Sequence, residues 1–279
     1  MTLFLNLRTR NVGGSVADPY LLQGDATVSP PALRAVHWAE IGPLVEGRNV
    51  LFVTHGFNVS YEHGARSLAY LETRLDLGET GLFIGVLWPG DWWLPVVNYP
   101  FEGEVAIDCG RRVAAFAERW LGEAQSVSLA SHSLGARVVL ETVERLSRPA
   151  RSLCLTAAAV NHDCLGTQYA DAATNATGVA VLASRRDWVL KLAFRIGDPI
   201  SELLRDDNSP FQPALGYDGP HGAIPGTVKP PWQIPPSADY GHGDYLPPGT
   251  GGAGGADAKW HEAADFIGRA FRGEVQRWP

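Results

Sequence analysis

Long apolar runs, blocks of basic residues and paired cysteines are all missing from this chain, and each absence removes a class of function. No stretch of roughly 18 or more consecutive apolar residues occurs, so no segment reads as a membrane-spanning helix. The opening MTLFLNLRTR lacks a basic start followed by a long apolar stretch. It reads as a strand rather than a signal peptide, and a cytoplasmic location is the resulting expectation. Lys and Arg are dispersed and the net charge is −7, which argues against nucleic acid or an anionic membrane as partner. The three cysteines, Cys109, Cys154 and Cys164, are odd in number and not spaced as a CxxC pair. They form neither a disulfide framework nor a zinc-cysteine pattern, and Cys154 lies inside an apolar run as a small core residue. No HExxH, EF-hand or Gly-rich phosphate loop is present, so neither a metal nor an organic cofactor is expected. Nothing in the sequence specifies an oligomeric state.

What is present is enough apolar residue to fill a large core: 45% of 279 residues, read here as one domain over 1–279. Apolar runs of strand type alternate with helical patterns. Strands are expected at 49–56, by its β-branched and aromatic content, and at 81–90, 126–131, 152–160 and 178–184, all continuous in apolar character rather than alternating. Helices are expected over 60–77 and 104–121, after the third strand, from Asp187, and over 257–272. In the second of these, Val105, Cys109, Val113, Phe116 and Trp120 share one face. Continuous apolar strands separated by helices predict an α/β fold with a mostly parallel sheet covered on both faces. The early TLFLNLR and LRAVHW segments are expected to add an antiparallel edge. Residues 195–256 are rich in Pro and Gly and are expected to form a long loop that returns to the sheet and covers a site.

One strand ends in an unusual way. VSLASHSLGARVVL runs from an apolar strand through Ser131-His132-Ser133-Leu134-Gly135 directly into an amphipathic pattern. Ligands of open parallel sheets bind at the carboxyl ends of the strands. Small residues at 131 and 135 permit a sharp strand-to-helix turn that would project the Ser133 hydroxyl, with the Leu134 N–H and the helix start facing the same space.

With these residues the chain resembles the α/β-hydrolases, whose elbow motif is Gly-x-Ser-x-Gly; Ser131 stands here in place of the first Gly. The fold this implies is the α/β-hydrolase fold, and Ser133 is the implied nucleophile. THGFNVS, at the end of the strand beginning at Asn49, resembles the family's His-Gly-x segment. That makes the Phe57 N–H the second oxyanion donor beside Leu134, with His55 bracing the loop. Family order is nucleophile, acid, histidine. It implies Asp187 as the acid, with Asp163 as the rival, and His242 as the base, with His221 as runner-up and His261 as structural. VLWPGDWW, ALGYDGP and HGDY are similar to segments of a bacterial subgroup of these hydrolases. The aromatic stretch WPGDWWLPVVNYPF leaves a strand on the site side, so Trp88, Trp92, Trp93 and Tyr99 are candidate walls of a substrate pocket, and buried tryptophans anchoring the loop to the core are the equal alternative. The resemblance implies a serine hydrolase acting on a small-molecule ester through an acyl-enzyme, without cofactor. A thioester, amide or lactone substrate, or an inactive hydrolase-fold binding protein, are the alternatives.

Overall fold

The computed structural model describes residues 1–90, 99–195, 212–250, 255, 258–274 and 276–278. The chain opens with β1 (Thr2–Arg8), β2 (Val16–Asp25) and β3 (Ala32–Ala35), followed by α1 (Trp38–Val45). Strands and helices then alternate: β4 (Asn49–Thr54), α2 (Tyr61–Arg74), β5 (Gly81–Leu87), α3 (Tyr99–Trp120), β6 (Ser126–His132), α4 (Gly135–Glu144), β7 (Ser152–Thr156), α5 (Ala170–Thr174) and β8 (Val179–Leu182). The chain continues with α6 (Trp188–Arg195), α7 (Leu215–Asp218), β9 (Val228–Lys229) and α8 (Trp260–Arg272).

Among the described residues, nine strands form one sheet in the order β3-β2-β1-β5-β4-β6-β7-β8-β9. The two pairings among β1, β2 and β3 are antiparallel, and every other pairing is parallel. Every residue of β1, β4, β7 and β8 is buried, which is why their apolar runs do not alternate. Helices cover both faces: α3 packs on α4, while α2 and α8 lie together on the other side. The α3–α4 crossing is close. A Cβ at Gly110 would stand 2.4 Å from Glu141 Cβ, and the Thr142 hydroxyl donates to the Gly110 carbonyl at 3.2 Å.

Several elements depart from expectation for physical reasons. β1 is not an edge; it runs parallel to β5 on one side and antiparallel to β2 on the other. β2 carries Asp18, Pro19 and Gly24, turn-type residues that disguise a strand exposed along part of its length. α1 starts behind His37, an uncommon cap. Its Nδ1 accepts from the Ala39 N–H at 3.3 Å while the Glu40 carboxylate accepts from the His37 N–H at 3.1 Å. The Pro/Gly-rich region is not wholly irregular, since α7 and β9 lie within it and β9 extends the sheet beside β8. A two-residue strand and a one-turn helix are too short to give a readable period.

The centre of the sheet sets the site. β6 lies between β4 and β7, with Thr54 opposite Ser131 and His132 opposite Thr156. The start of α4 presses on the end of β4: a Cβ at Gly135 would sit 2.4 Å from Thr54 Oγ1 and 2.5 Å from the His55 carbonyl oxygen. The Thr54 hydroxyl donates to the Gly135 carbonyl at 3.1 Å. Gly135→Ala forces these elements apart. We expect a loss of about 1–3 kcal/mol, read as a lower urea midpoint with the m-value unchanged.

Candidate active site

Ser133 occupies the turn between β6 and α4 with φ +55°, a left-handed conformation that a non-glycine residue adopts only when its surroundings impose it. The surroundings are hydrogen bonds. The Ser133 N–H donates to the Thr156 carbonyl at 3.1 Å, and the Ser133 carbonyl accepts from the Ala136 and Ala159 N–H groups, each at 3.1 Å. The backbone is thus fixed from the neighbouring strand β7 and from its own helix. The side chain is nearly enclosed, at 5% exposure.

Three groups distant in sequence meet here. His242 Nε2 lies 2.8 Å from Ser133 Oγ, and His242 Nδ1 lies 2.8 Å from Asp187 Oδ2. The Asp187 side chain is wholly buried, and its two oxygens divide their work. Oδ2 faces the imidazole, while Oδ1 accepts from the Leu190 N–H at 3.0 Å and so caps α6. Capping fixes the carboxylate's rotation and thereby aims the other oxygen at His242. Of the two acids considered from sequence, Asp187 is the one against His242. Asp163 instead precedes a short 3-10 turn at Cys164–Gly166.

The loop carrying His242 is held by side chains rather than by glycine freedom. Neither Gly241 nor Gly243 is in the left-handed region, and a Cβ at Gly243 would meet nothing. The Ser184 hydroxyl donates to the Tyr240 carbonyl at 2.7 Å, and Asp244 accepts from the Gly241 N–H at 2.8 Å and from Lys259 at 3.0 Å. His132 Nε2 lies 2.8 Å from the His242 carbonyl oxygen and so acts as its donor. The His132 ring also packs on Tyr245, with centroids 5.9 Å apart.

The segment after β4 passes directly over the serine. A Cβ at Gly56 would lie 2.9 Å from both Ser133 Cβ and His132 Nδ1, so only glycine allows the backbone leading to Phe57 this close. Leu134 follows Ser133 as the N-cap of α4. His55 Nδ1 lies 2.8 Å from the Gly56 carbonyl oxygen, and its ring stacks on Trp88 at 5.8 Å. Of the two roles expected for its loop's aromatics, Trp88 takes the anchoring one and not that of a pocket wall. It is fully buried, and its indole N–H donates to the His55 carbonyl at 2.9 Å, so it braces the loop from within the core. Trp92 and Trp93 lie outside the described residues, and Tyr99 opens α3 rather than sitting in a loop.

One organising residue escaped the sequence reading. Arg8, at the end of β1, is buried; its guanidinium donates to the carbonyls of Val59 and Trp88 at 3.0 and 2.9 Å and to that of Asn11 at 2.9 Å. It ties the loops after β1, β4 and β5 into one unit. The available signal was an arginine closing a mostly apolar strand, a placement that requires partners.

The remaining histidines separate into other roles. His261 packs edge-on against Trp260 at 4.1 Å in α8. His221 Nε2 lies 3.0 Å from Asp218 Oδ2 and belongs to a second cluster.

An α/β-hydrolase is the class that this sheet and this elbow define. Residues 43–215 match the family described as alpha/beta hydrolase of unknown function (DUF900), and the chain belongs to that family. Membership suggests hydrolase activity, and the family's description specifies no substrate. A comparison with curated proteins found no match. Among the described residues, no helix is long and apolar enough to cross a membrane.

His55 and His132 carry a consequence for acid stability. Burial lowers the pKa of His55 from 6.5 to about 3, with Arg8 adding to the shift. Burial and then His242 lower that of His132 from 6.5 to about 3. Both are neutral in the fold and bind a proton more readily when unfolded, so stability is full above pH 6.5 and falls as pH drops toward about 3. Denaturant titrations across that range should show this loss in the wild type. Replacing His132 with Asn should flatten the slope by about one proton.

Proposed function

We propose that this chain is a serine hydrolase that cleaves small-molecule carboxylic esters by way of an acyl-enzyme. The observation that carries this reading is the continuous hydrogen-bonded chain Ser133 Oγ–His242 Nε2 and His242 Nδ1–Asp187 Oδ2, both links at 2.8 Å. In this reading Ser133 Oγ attacks the ester carbonyl and its proton passes to His242 Nε2. Asp187 holds the imidazole in the productive tautomer and stabilises the imidazolium. Its burial and its second bond to the Leu190 N–H keep it aimed while the charge on His242 changes.

The tetrahedral oxyanion is held by the N–H groups of Phe57 and Leu134. The support for this pair is the Gly56 backbone packed on Ser133 and the start of α4 immediately after it. His242 returns its proton to the leaving alcohol, then takes one from a water that attacks the acyl-enzyme; the acyl–Oγ bond breaks, His242 gives that proton back to Ser133 Oγ, and the carboxylic acid leaves. Serine attack, proton shuttling and oxyanion binding are all assigned to groups of this chain.

Hydrolysis of p-nitrophenyl butyrate tests the reading. We expect Ser133→Ala to lower kcat by about 10³-fold or more, and Asp187→Asn by about 10³–10⁴-fold, while Asp163→Asn keeps near wild-type activity. Equal losses from both aspartate variants would remove Asp187 from its assigned role. If the wild type is silent but a fluorophosphonate labels Ser133, the nucleophile stands and the acyl donor is of another kind. Absence of both signals overturns the reading.

His132 is a positioning residue in this scheme, acting through the His242 backbone. His132→Ala should lower kcat by about 10–100-fold with KM little changed. An unaltered kcat would show that the His242 loop does not depend on that contact.

A further inference from the structure

Beyond the serine, the structure assembles a second group of polar side chains. His162 follows β7, Asp218 ends α7, and His221 lies in the turn three residues on. One ligand atom from each, drawn from the two imidazoles and the carboxylate, falls within 4.8 Å of the others. The spacing is short on both edges that involve the carboxylate. Asp218 Oδ2 is 3.0 Å from His221 Nε2 and 3.7 Å from His162 Nδ1.

A metal bound by imidazole and carboxylate at about 2.0–2.2 Å in a tetrahedral arrangement holds its donor atoms about 3.3 Å apart. The two measured edges bracket that value. A hydrogen-bonded knot accounts for only part of the cluster. His221 and Asp218 satisfy each other at 3.0 Å, but His162 Nδ1 is buried with no hydrogen-bond partner and points at the same carboxylate oxygen across 3.7 Å. A buried imidazole nitrogen left over in this way is costly unless something occupies the gap.

The scaffold around the donors is fixed. The His221 N–H donates to the His162 carbonyl at 2.9 Å, and the His162 N–H donates to the Pro213 carbonyl at 3.0 Å. Both segments are thus docked by backbone bonds before any side chain acts. The carboxylate is oriented from behind: Arg185 donates through Nε at 3.2 Å and through a terminal nitrogen at 2.9 Å to Asp218 Oδ1. That leaves Oδ2 for the cluster, the arrangement in which an outer hydrogen bond fixes a ligating carboxylate. The His221 side chain is 47% exposed, so one side of the cluster faces water, which supplies a fourth ligand.

We propose that His162 Nδ1, Asp218 Oδ2 and His221 Nε2 form a binding site for a divalent transition-metal ion, zinc(II) by the chemistry of its donors. Two imidazoles and one carboxylate suit zinc better than magnesium or calcium, which favour all-oxygen shells. The ion pins the turn after α7 to the loop after β7. Its contribution is to stability, because binding only the folded chain shifts the unfolding equilibrium. Ser133, His242 and Asp187 take no part in it.

The test uses untagged full-length chain stripped with a chelator and dialysed against zinc(II) or cobalt(II). We expect one ion per chain, visible d–d absorption for the cobalt form, and a higher Tm with metal. His221→Gln should weaken binding by at least about tenfold and abolish the Tm shift, and His162→Ala should do the same. Ser133→Ala should bind as the wild type does. If His162→Ala does not fold, His221→Gln carries the comparison, since that side chain is half exposed. No stoichiometric ion in the wild type, or equal binding by wild type and His221→Gln, overturns the proposal. Loss of esterase activity in Ser133→Ala with binding intact separates this site from the serine chemistry.

Discussion

Everything at the head of the sheet depends on the left-handed turn at Ser133. A residue with a side chain does not stay at φ +55° by preference. Here it is held by three backbone hydrogen bonds, from Thr156 on the neighbouring strand and from Ala136 and Ala159. Those bonds require α4 to lie hard against the end of β4, which in turn requires glycine at 135. Strand order, helix entry and hydroxyl direction are therefore one constraint. The turn is sharp because the centre of the sheet leaves no room for a gentle one.

Around that turn, groups that look chemically active are used as braces. His55, Trp88 and Arg8 form a buried unit that fixes the loop leading to Phe57, and His132 holds the backbone of His242. Burial makes both histidines poor bases, with pKa values near 3, so they remain neutral donors and acceptors while His242, at 20% exposure, faces the serine. Asp187 shows the same economy, capping a helix with one oxygen and meeting an imidazole with the other. A structural role and a site role are not alternatives for such a residue. The first supplies the rigidity that the second needs.

The legible part of the fold was the alternation of buried strands and amphipathic helices, because full burial removes the need for polar alternation and leaves an unbroken apolar run. β2, α1, α7 and β9 were not legible. β2 is punctuated by Pro19 and Gly24, α1 is capped by a histidine, and α7 and β9 are too short to show a period. At the site, chain order through the resemblance pointed to Ser133, Asp187 and His242 together. The loop carrying His242 does not rely on the glycines on either side of that residue. It is anchored by Ser184, Asp244, Lys259 and His132 instead.

By itself the sequence determined the layer architecture and the identity of the strand that ends in a serine turn, because burial period and small residues are local properties. Only the tertiary structure decided which of several histidines and aspartates meet. Asp187 and His242 are far apart along the chain, and their approach follows from the order β6-β7-β8 in the sheet and the anchoring of the late loop. The same packing sent Trp88 inward, brought Arg8 across three loops and gathered His162, Asp218 and His221 at one point. Such meetings depend on three-dimensional register, which no single stretch of residues encodes.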